Sequence, residues 1–267
     1  MVIKLEGLDS LKVFLNHPKK EIALLDSLFK TSFFKPMNKG EIDKSKSQWN
    51  NFGYYLDFRA IQPITHFQLG TNHIEGVCFY MSGIDQFDHL IKRLIQLKID
   101  YHIEKLPLIG KGLIFSLQEG INYWVGIQTD PDYQSLNGVK GPVVLRLAYC
   151  RDFVASLQDL FEVAVLEETN NHYLLSFNSE ESHADLLLIS DLQGPQFDSG
   201  GLESAELVYT IRPDQSMDQI HQFLNEKSVH HNYTVGSIGE EKITLRLGHI
   251  SMRLIESRGH SLQRKMD

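Results

Sequence analysis

The stretch GVCFYMSGIDQFDHLIKRLIQLKIDYHIE, residues 76–104, decides the fold because it joins two kinds of periodicity. Apolar Val77, Phe79 and Met81 alternate with a second set of residues, which is the two-residue period of a strand with two different faces. From Phe87 onward the apolar residues recur every three or four positions, which predicts an amphipathic helix. Further strand-like segments follow around residues 101–105, 112–117 and 121–128. The unit is therefore predicted to be strand, helix and three strands, written βαβββ.

The same order of segments recurs elsewhere in the chain, so that the unit occurs as four modules. The other copies begin near Leu8, Pro142 and Ser204, with helix-start signals at Pro18 in the first copy and at Ser216 in the last. In the first copy the later strands are expected near residues 33, 54 and 65.

A single module of this kind exposes an apolar sheet face, so the modules are expected to combine in pairs. The turn-rich segment QTDPDYQSLNGVKGP, residues 128–142, is the best boundary candidate. We therefore expect modules one and two to pair within residues 1–130, and modules three and four to pair within residues 142–258. The predicted fold class is α+β, with two curved, partly closed mixed sheets and the helices outside.

The composition narrows the classes of function. A formal net charge of -8 argues against a nucleic-acid-binding surface, which would be basic. No apolar run approaches the length of about 20 residues that spans a bilayer, and no signal peptide is recognisable, so we expect a cytoplasmic protein without membrane contact. Cys78 and Cys150 lie in or beside apolar segments without metal-ligand spacing, which predicts buried thiols.

Four βαβββ modules in a chain of this length resemble the vicinal oxygen chelate superfamily, which includes glyoxalase I, bleomycin resistance proteins and extradiol ring-cleaving dioxygenases. The resemblance covers nearly the whole chain and is one of architecture. It implies a cavity formed by paired modules, with a divalent metal held by a histidine on the first strand of a module and a glutamate on the fourth. Such a metal would chelate neighbouring substrate oxygens.

Strand alternation gives the residues expected to face that cavity, and no histidine is found among those of the first strands. The first strands contribute Ser10, Lys12, Phe14, Cys78, Tyr80, Val144, Arg146, Glu206, Val208 and Thr210. The fourth strands contribute Asn122, Trp124, Asp185, Leu187, Ser251 and Arg253, with His66 ambiguous in the first module. An arginine at the glutamate position of the last module would repel a divalent cation. No metal cofactor is therefore expected, unless the alternative function below holds.

The third and fourth modules together predict an inward cluster of Arg146, Asp185, Glu206 and Arg253. Two interpretations are open for these charges. They form a structural ion-pair network, or the arginines bind the carboxylate or phosphate of a small polar or zwitterionic molecule. Trp124 and Tyr80 would similarly form an aromatic wall in the first pair of modules, or pack in the core.

The favoured function is a small-molecule binding protein of the vicinal oxygen chelate type without the usual metal site. Its partner is a small polar or aromatic molecule, its catalytic residues are unassigned, and a homodimer is left open. The alternative is a metal-dependent glyoxalase-type lyase or extradiol dioxygenase, for which His249 with Glu256 offers an unusual ligand set. Gram-positive proteins that degrade complement C3 share a four-module plan, but the sequence contains no protease motif.

Overall fold

The computed structural model describes residues 1–29, 48–51, 54–60, 73–81, 83–106, 110–118, 121–127, 139–177, 184–192, 205–237 and 239–256. Module one contains β1 (Leu5–Leu15), α1 (Pro18–Phe29), β2 (Gln48–Asn51) and β3 (Tyr54–Ala60). Module two contains β4 (His73–Met81), α2 (Ile84–Leu97), β5 (Tyr101–Leu106), β6 (Gly110–Phe115) and β7 (Asn122–Ile127).

The second half of the chain repeats this order. Module three contains β8 (Val139–Leu147), α3 (Cys150–Leu160), β9 (Ala164–Glu168), β10 (His172–Ser176) and β11 (Leu186–Ser190). Module four contains β12 (Ala205–Ile211), α4 (Met217–Glu226), β13 (His231–Val235), β14 (Glu241–Leu247) and β15 (Ile250–Ile255). The predicted α+β class is confirmed. Within the described ranges, no helix combines the length and apolarity needed to cross a membrane.

Local sequence signals place the helix starts. The side chain of Ser216 accepts a hydrogen bond from the Gln219 N–H at 3.3 Å, and the Gln219 side chain accepts one from the Ser216 N–H at 3.2 Å. This capping box satisfies two amide groups that the first turn of α4 would otherwise leave unpaired. The first helix begins at Pro18, as its fixed backbone angle favours.

In each module the last strand lies parallel to the first strand. The first strands of modules one and four, β1 and β12, pair antiparallel and join these modules into a seven-stranded sheet of order β13-β14-β15-β12-β1-β3-β2. The first strands of modules two and three, β4 and β8, do the same in an eight-stranded sheet of order β5-β6-β7-β4-β8-β11-β10-β9.

The expected pairing of module one with two, and of three with four, is therefore wrong. Residues 1–130 and 142–258 each contribute one module to both sheets. The physical reason is that the first strand of every module leaves one edge unpaired. Any other first strand can satisfy that edge, so the order of modules along the chain does not fix their partners.

The fourth strand of module one also differs from expectation. β3 lies parallel to β1, with Leu56 opposite Leu11, and so takes the place that had been expected near residue 65. Asp57 and Arg59 on β3 therefore occupy the fourth-strand positions for which His66 was considered. Residues 33, 65 and 66 lie outside the described residues.

The faces of both sheets that carry the helices share one continuous apolar core. Contacts between rings join the sheets within it: Phe29 of α1 meets Phe79 of β4 at 6.1 Å, and Phe177 meets Tyr209 of β12 at 4.8 Å. Cys78 and Cys150 are buried free thiols, as predicted. Burial raises the pKa of both, that of Cys150 to about 11, which makes them poor nucleophiles.

Candidate functional site

Three neighbouring strands of the seven-stranded sheet bring Lys12, Asp57 and Glu206 side by side. Lys12 of β1 lies opposite Asp57 of β3 and opposite Glu206 of β12. Cross-strand partners point to the same side of a sheet, and the sequence neighbours of Lys12, Leu11 and Val13, belong to the core. These three charges consequently lie opposite the helices. We name this surface the charged face, comprising Lys12, Asp57, Arg59, Glu206 and Arg253.

The carboxylate of Glu206 is the centre of the charged face. Arg253 of β15 reaches it because the register partner of Arg253 is Val208, two residues along from Glu206 on the same side. Lys12 Nζ lies 3.0 Å from Glu206 Oε2, and Arg253 Nη2 donates to Glu206 Oε1 at 3.0 Å. The Glu206 side chain is only 6% exposed. A carboxylate so removed from water requires charged partners, and here each oxygen has its own cation.

A second ion pair lies beside the first. The Nε and Nη2 groups of Arg59 donate to Asp57 Oδ2 at 3.0 and 2.7 Å. Arg59 is largely exposed, whereas Asp57 is buried. Lys12, Arg59 and Arg253 thus outnumber the carboxylates of Asp57 and Glu206, and the charged face has an excess of positive charge.

The surroundings of Lys12 disfavour the charged form of its side chain. Burial lowers the pKa of Lys12, and the positive charge of Arg253 acts in the same direction. The hydrogen bond to Glu206 opposes this effect without reversing it. Lys12 therefore releases its proton more readily than an exposed lysine.

The corresponding face of the eight-stranded sheet carries an apolar cluster. Its buried residues form a cluster separate from the main core, which we name the apolar face: Cys78, Ile114, Trp124, Val144, Leu174 and Leu187. Tyr80 packs against this cluster, and burial raises the pKa of its hydroxyl group. Trp124 is 3% exposed, and within the described part of the chain its indole Nε1–H has no acceptor. A buried donor without an acceptor costs about 1–3 kcal/mol, so this group requires a partner such as water or a ligand.

The predicted cluster of Arg146, Asp185, Glu206 and Arg253 is only half assembled. Glu206 and Arg253 are in contact, but Arg146 and Asp185 lie on or beside strands of the other sheet. The reason is the pairing of modules, which places modules three and four in different sheets. The expectation that the four charges form one cluster is therefore wrong.

Arg146 and Asp185 have partners of their own. Arg146 donates to both oxygens of Glu75 at 2.7 and 2.9 Å and to Asp191 at 3.3 Å. The hydrogen bond to Glu75 is the main reason that the pKa of Arg146 is raised. Asp185 accepts the backbone N–H of Phe177 at 2.8 Å. These contacts favour the structural-network interpretation for this pair.

The donor set of the charged face does not fit the metal that the resemblance implies. Its carboxylates, Asp57 and Glu206, are held in ion pairs, and Lys12 and Arg253 would repel a divalent cation beside them. Over the ranges that the structure describes, no group of three histidine, cysteine, aspartate or glutamate side chains could hold a metal ion.

Two histidines of module four, His221 and His231, form a structural contact between α4 and β13. His231 donates from Nδ1 to the Val229 carbonyl at 2.8 Å, which leaves its Nε2 to accept a hydrogen bond. His221 Nδ1 lies 2.7 Å from that atom and supplies the proton, so the two imidazoles fasten α4 to β13. Both ring nitrogens of His231 are thus engaged within the protein.

Sequence reasoning missed two members of the charged face, Asp57 and Arg59. The sequence does contain a pattern that predicts their place on a strand, because apolar Leu56 and Phe58 alternate with these two charged residues. The polar insertion before β2 obscured it by leaving the position of the fourth strand uncertain. Lys12 was placed on the correct face but was not singled out as a binding residue.

Comparisons with known proteins agree with this architecture. No protein-family profile matches the chain, and no curated protein sequence matches it either. Among solved structures, a Bacillus subtilis protein provisionally named a dioxygenase superposes with a TM-score of 0.69 at 11% identity, covering 96% of this chain and 87% of that chain. A glyoxalase I mutant from Zea mays superposes with a TM-score of 0.67 at 9% identity, covering 98% of this chain and 96% of that chain. Identities this low show a shared fold and nothing finer. The chain has the fold of the vicinal oxygen chelate superfamily.

Proposed function

We propose that this protein binds a small anionic molecule on its charged face, without the metal ion that the fold implies. One observation carries the proposal: Lys12 and Arg253 flank a single buried carboxylate on the strands where the superfamily places its metal ligands. A ligand oxygen would then meet ammonium and guanidinium groups in place of a metal.

Unused hydrogen-bond donors support this proposal. An ammonium group has three N–H donors and a guanidinium has five, and Glu206 accepts one bond from each cation. In the part of the chain that the structure covers, the buried Arg253 Nε–H has no acceptor. The carboxylate or phosphate of a ligand would supply the missing acceptor and would balance the excess positive charge.

The apolar face would accommodate a different chemical group. We extend the proposal to an aromatic or apolar molecule that packs against Trp124 and Tyr80 and accepts the Trp124 indole N–H. This part rests on one unsatisfied donor and is secondary to the charged face. Arg146 and Asp185, with their own partners, are left to a structural role.

Calorimetric titration with acetate, lactate, succinate and inorganic phosphate tests the main proposal. Arg253→Met should weaken the tightest-bound anion by about tenfold or more, because a hydrogen bond to a charged group is worth about 1.5–3 kcal/mol. Arg212→Met is the matched control, since Arg212 is 45% exposed and its 3.8 Å ion pair with Asp214 includes no residue of the charged face. Equal affinities in both variants would contradict the proposal.

Elemental analysis of protein purified without chelator separates this function from the alternative. We expect no stoichiometric metal. Iron, manganese, zinc or nickel at one equivalent per chain would instead support a metal-dependent lyase or dioxygenase.

A further inference from the structure

Lys12 differs from the other ion-paired lysines of the described chain in how little water reaches it. Its side chain is 15% exposed, against 41% for Lys4, 39% for Lys227 and 35% for Lys242. Removal from water and a neighbouring guanidinium both favour the neutral amine, and the neutral amine is the nucleophilic form of lysine.

A proton acceptor lies within reach of this amine. Glu206 Oε2 is 3.0 Å from Lys12 Nζ, which is the distance at which a carboxylate can take a proton directly. The other oxygen of Glu206 is bound by Arg253, which fixes the orientation of the carboxylate. A nucleophile, Lys12, and an anion-binding group, Arg253, therefore both contact one proton acceptor, the carboxylate of Glu206.

We infer that Lys12 forms a reversible imine with a small 2-oxo acid whose carboxylate is bound by Arg253. The inference rests on the proposed anion binding and adds a substrate class and a covalent step to it. A 2-oxo acid suits the site because its carbonyl carbon is directly bonded to its carboxylate. A molecule held by Arg253 would present that carbon to the amine beside it.

The step balances without an oxidant or reductant. Lys12 transfers its proton to Glu206, and the nitrogen lone pair attacks the carbonyl carbon to form a C–N bond. The carbonyl oxygen takes the proton from Glu206, which gives a carbinolamine. Glu206 then accepts a proton from the nitrogen and returns it to the departing hydroxyl group, so that water leaves and the imine forms. Addition of water reverses each transfer.

Reductive trapping in the intact protein tests the inference. The protein is incubated with pyruvate and sodium borohydride, and the site of the reduced adduct is determined by peptide mass spectrometry. We expect the adduct on Lys12 in large excess over exposed Lys92 of α2. Lys12→Arg keeps the positive charge but should lose the adduct, and Glu206→Gln should slow its formation, because an amide does not accept the proton.

Lactate separates this inference from the proposed function, because it has the carboxylate but no carbonyl group. Lactate should bind the wild type with a measurable affinity and leave no borohydride-trapped adduct on Lys12. If lactate binds but pyruvate leaves no preferential adduct on Lys12, the imine is wrong and anion binding stands. If the wild type binds neither pyruvate nor any of the four anions named above, both proposals fail.

Discussion

At the scale of single residues, Glu21 is a buried carboxyl group that joins the two sheets. It lies on α1 of module one and is 0% exposed. The Tyr123 hydroxyl of module two donates to its Oε1 at 2.6 Å, and Gln118 donates to its Oε2 at 2.8 Å. Burial nevertheless raises the pKa of Glu21, because two hydrogen bonds do not replace the water that a carboxylate loses.

This raised pKa predicts the direction of a pH effect on stability. The folded state holds the proton of Glu21 more tightly than the unfolded chain does. The contribution of Glu21 to stability is therefore fully present below its unfolded pKa, and it is lost as the pH rises through the folded pKa. Glu21→Gln should remove this contribution to the pH dependence. Denaturant unfolding at a series of pH values, from the ordinary glutamate pKa to neutrality, measures it.

Glu162→Gln is the control for this prediction. Glu162 is 47% exposed, and its ion pair with Lys4 is long, at 3.7 Å. Exposed ion pairs contribute little to stability, so Glu162→Gln should leave the pH dependence caused by Glu21 unchanged. If the free energy of unfolding of Glu21→Gln still changes with pH as it does in the wild type, the pH dependence belongs to another group.

At the scale of elements, β4 and β7 approach so closely that one position admits only glycine. A Cβ atom added to Gly76 would lie 2.1 Å from the carbonyl oxygen of Asn122 on β7. Asn122 is the register partner of Gly76, and the contact is with backbone, which cannot turn aside as a side chain can.

Gly76→Ala should therefore destabilise the protein by about 1–3 kcal/mol through displacement of β4 from β7. Gly7→Ala is the matched control, because Gly7 lies in strand β1 with nothing within 4 Å of the added atom. Its effect should stay within about 0.5 kcal/mol. The midpoints of urea denaturation compare the two variants. Equal midpoints would show that β7 moves to accept the added methyl group without loss of stability.

At the scale of the whole molecule, each half of the chain is incomplete. The sheets pair module one with four and module two with three, so β1 and β4 in the first half find their antiparallel partners in the second half. Either half alone would expose the unpaired edges of two sheets.

Fragments 1–130 and 131–267 should consequently fold together but not separately. Each alone should be unfolded or aggregated, and refolding the two together should restore the circular dichroism and the elution volume of the intact chain. The cut falls between β7 and β8 and removes no described strand. Two independently folded, monomeric fragments would instead support the division expected from the sequence order of the modules.

The sequence by itself determined the four modules and the two faces of their first strands, but not the position of the last strand of module one. Leu11 and Val13 alternate with Lys12, and this local period sends apolar side chains to the helices and the lysine to the opposite side, whatever the strand pairs with. Arg253 and Glu206 were placed on the correct faces in the same way.

Only the tertiary structure decided which modules share a sheet, and with that which charges meet. Lys12 and Glu206 are 194 residues apart in sequence and lie side by side because β1 pairs with β12. Arg146, expected beside Glu206, instead meets Glu75 across the pair β4 and β8. Alternation is a property of each strand, whereas the choice among several equivalent free edges depends on the packing of the whole chain.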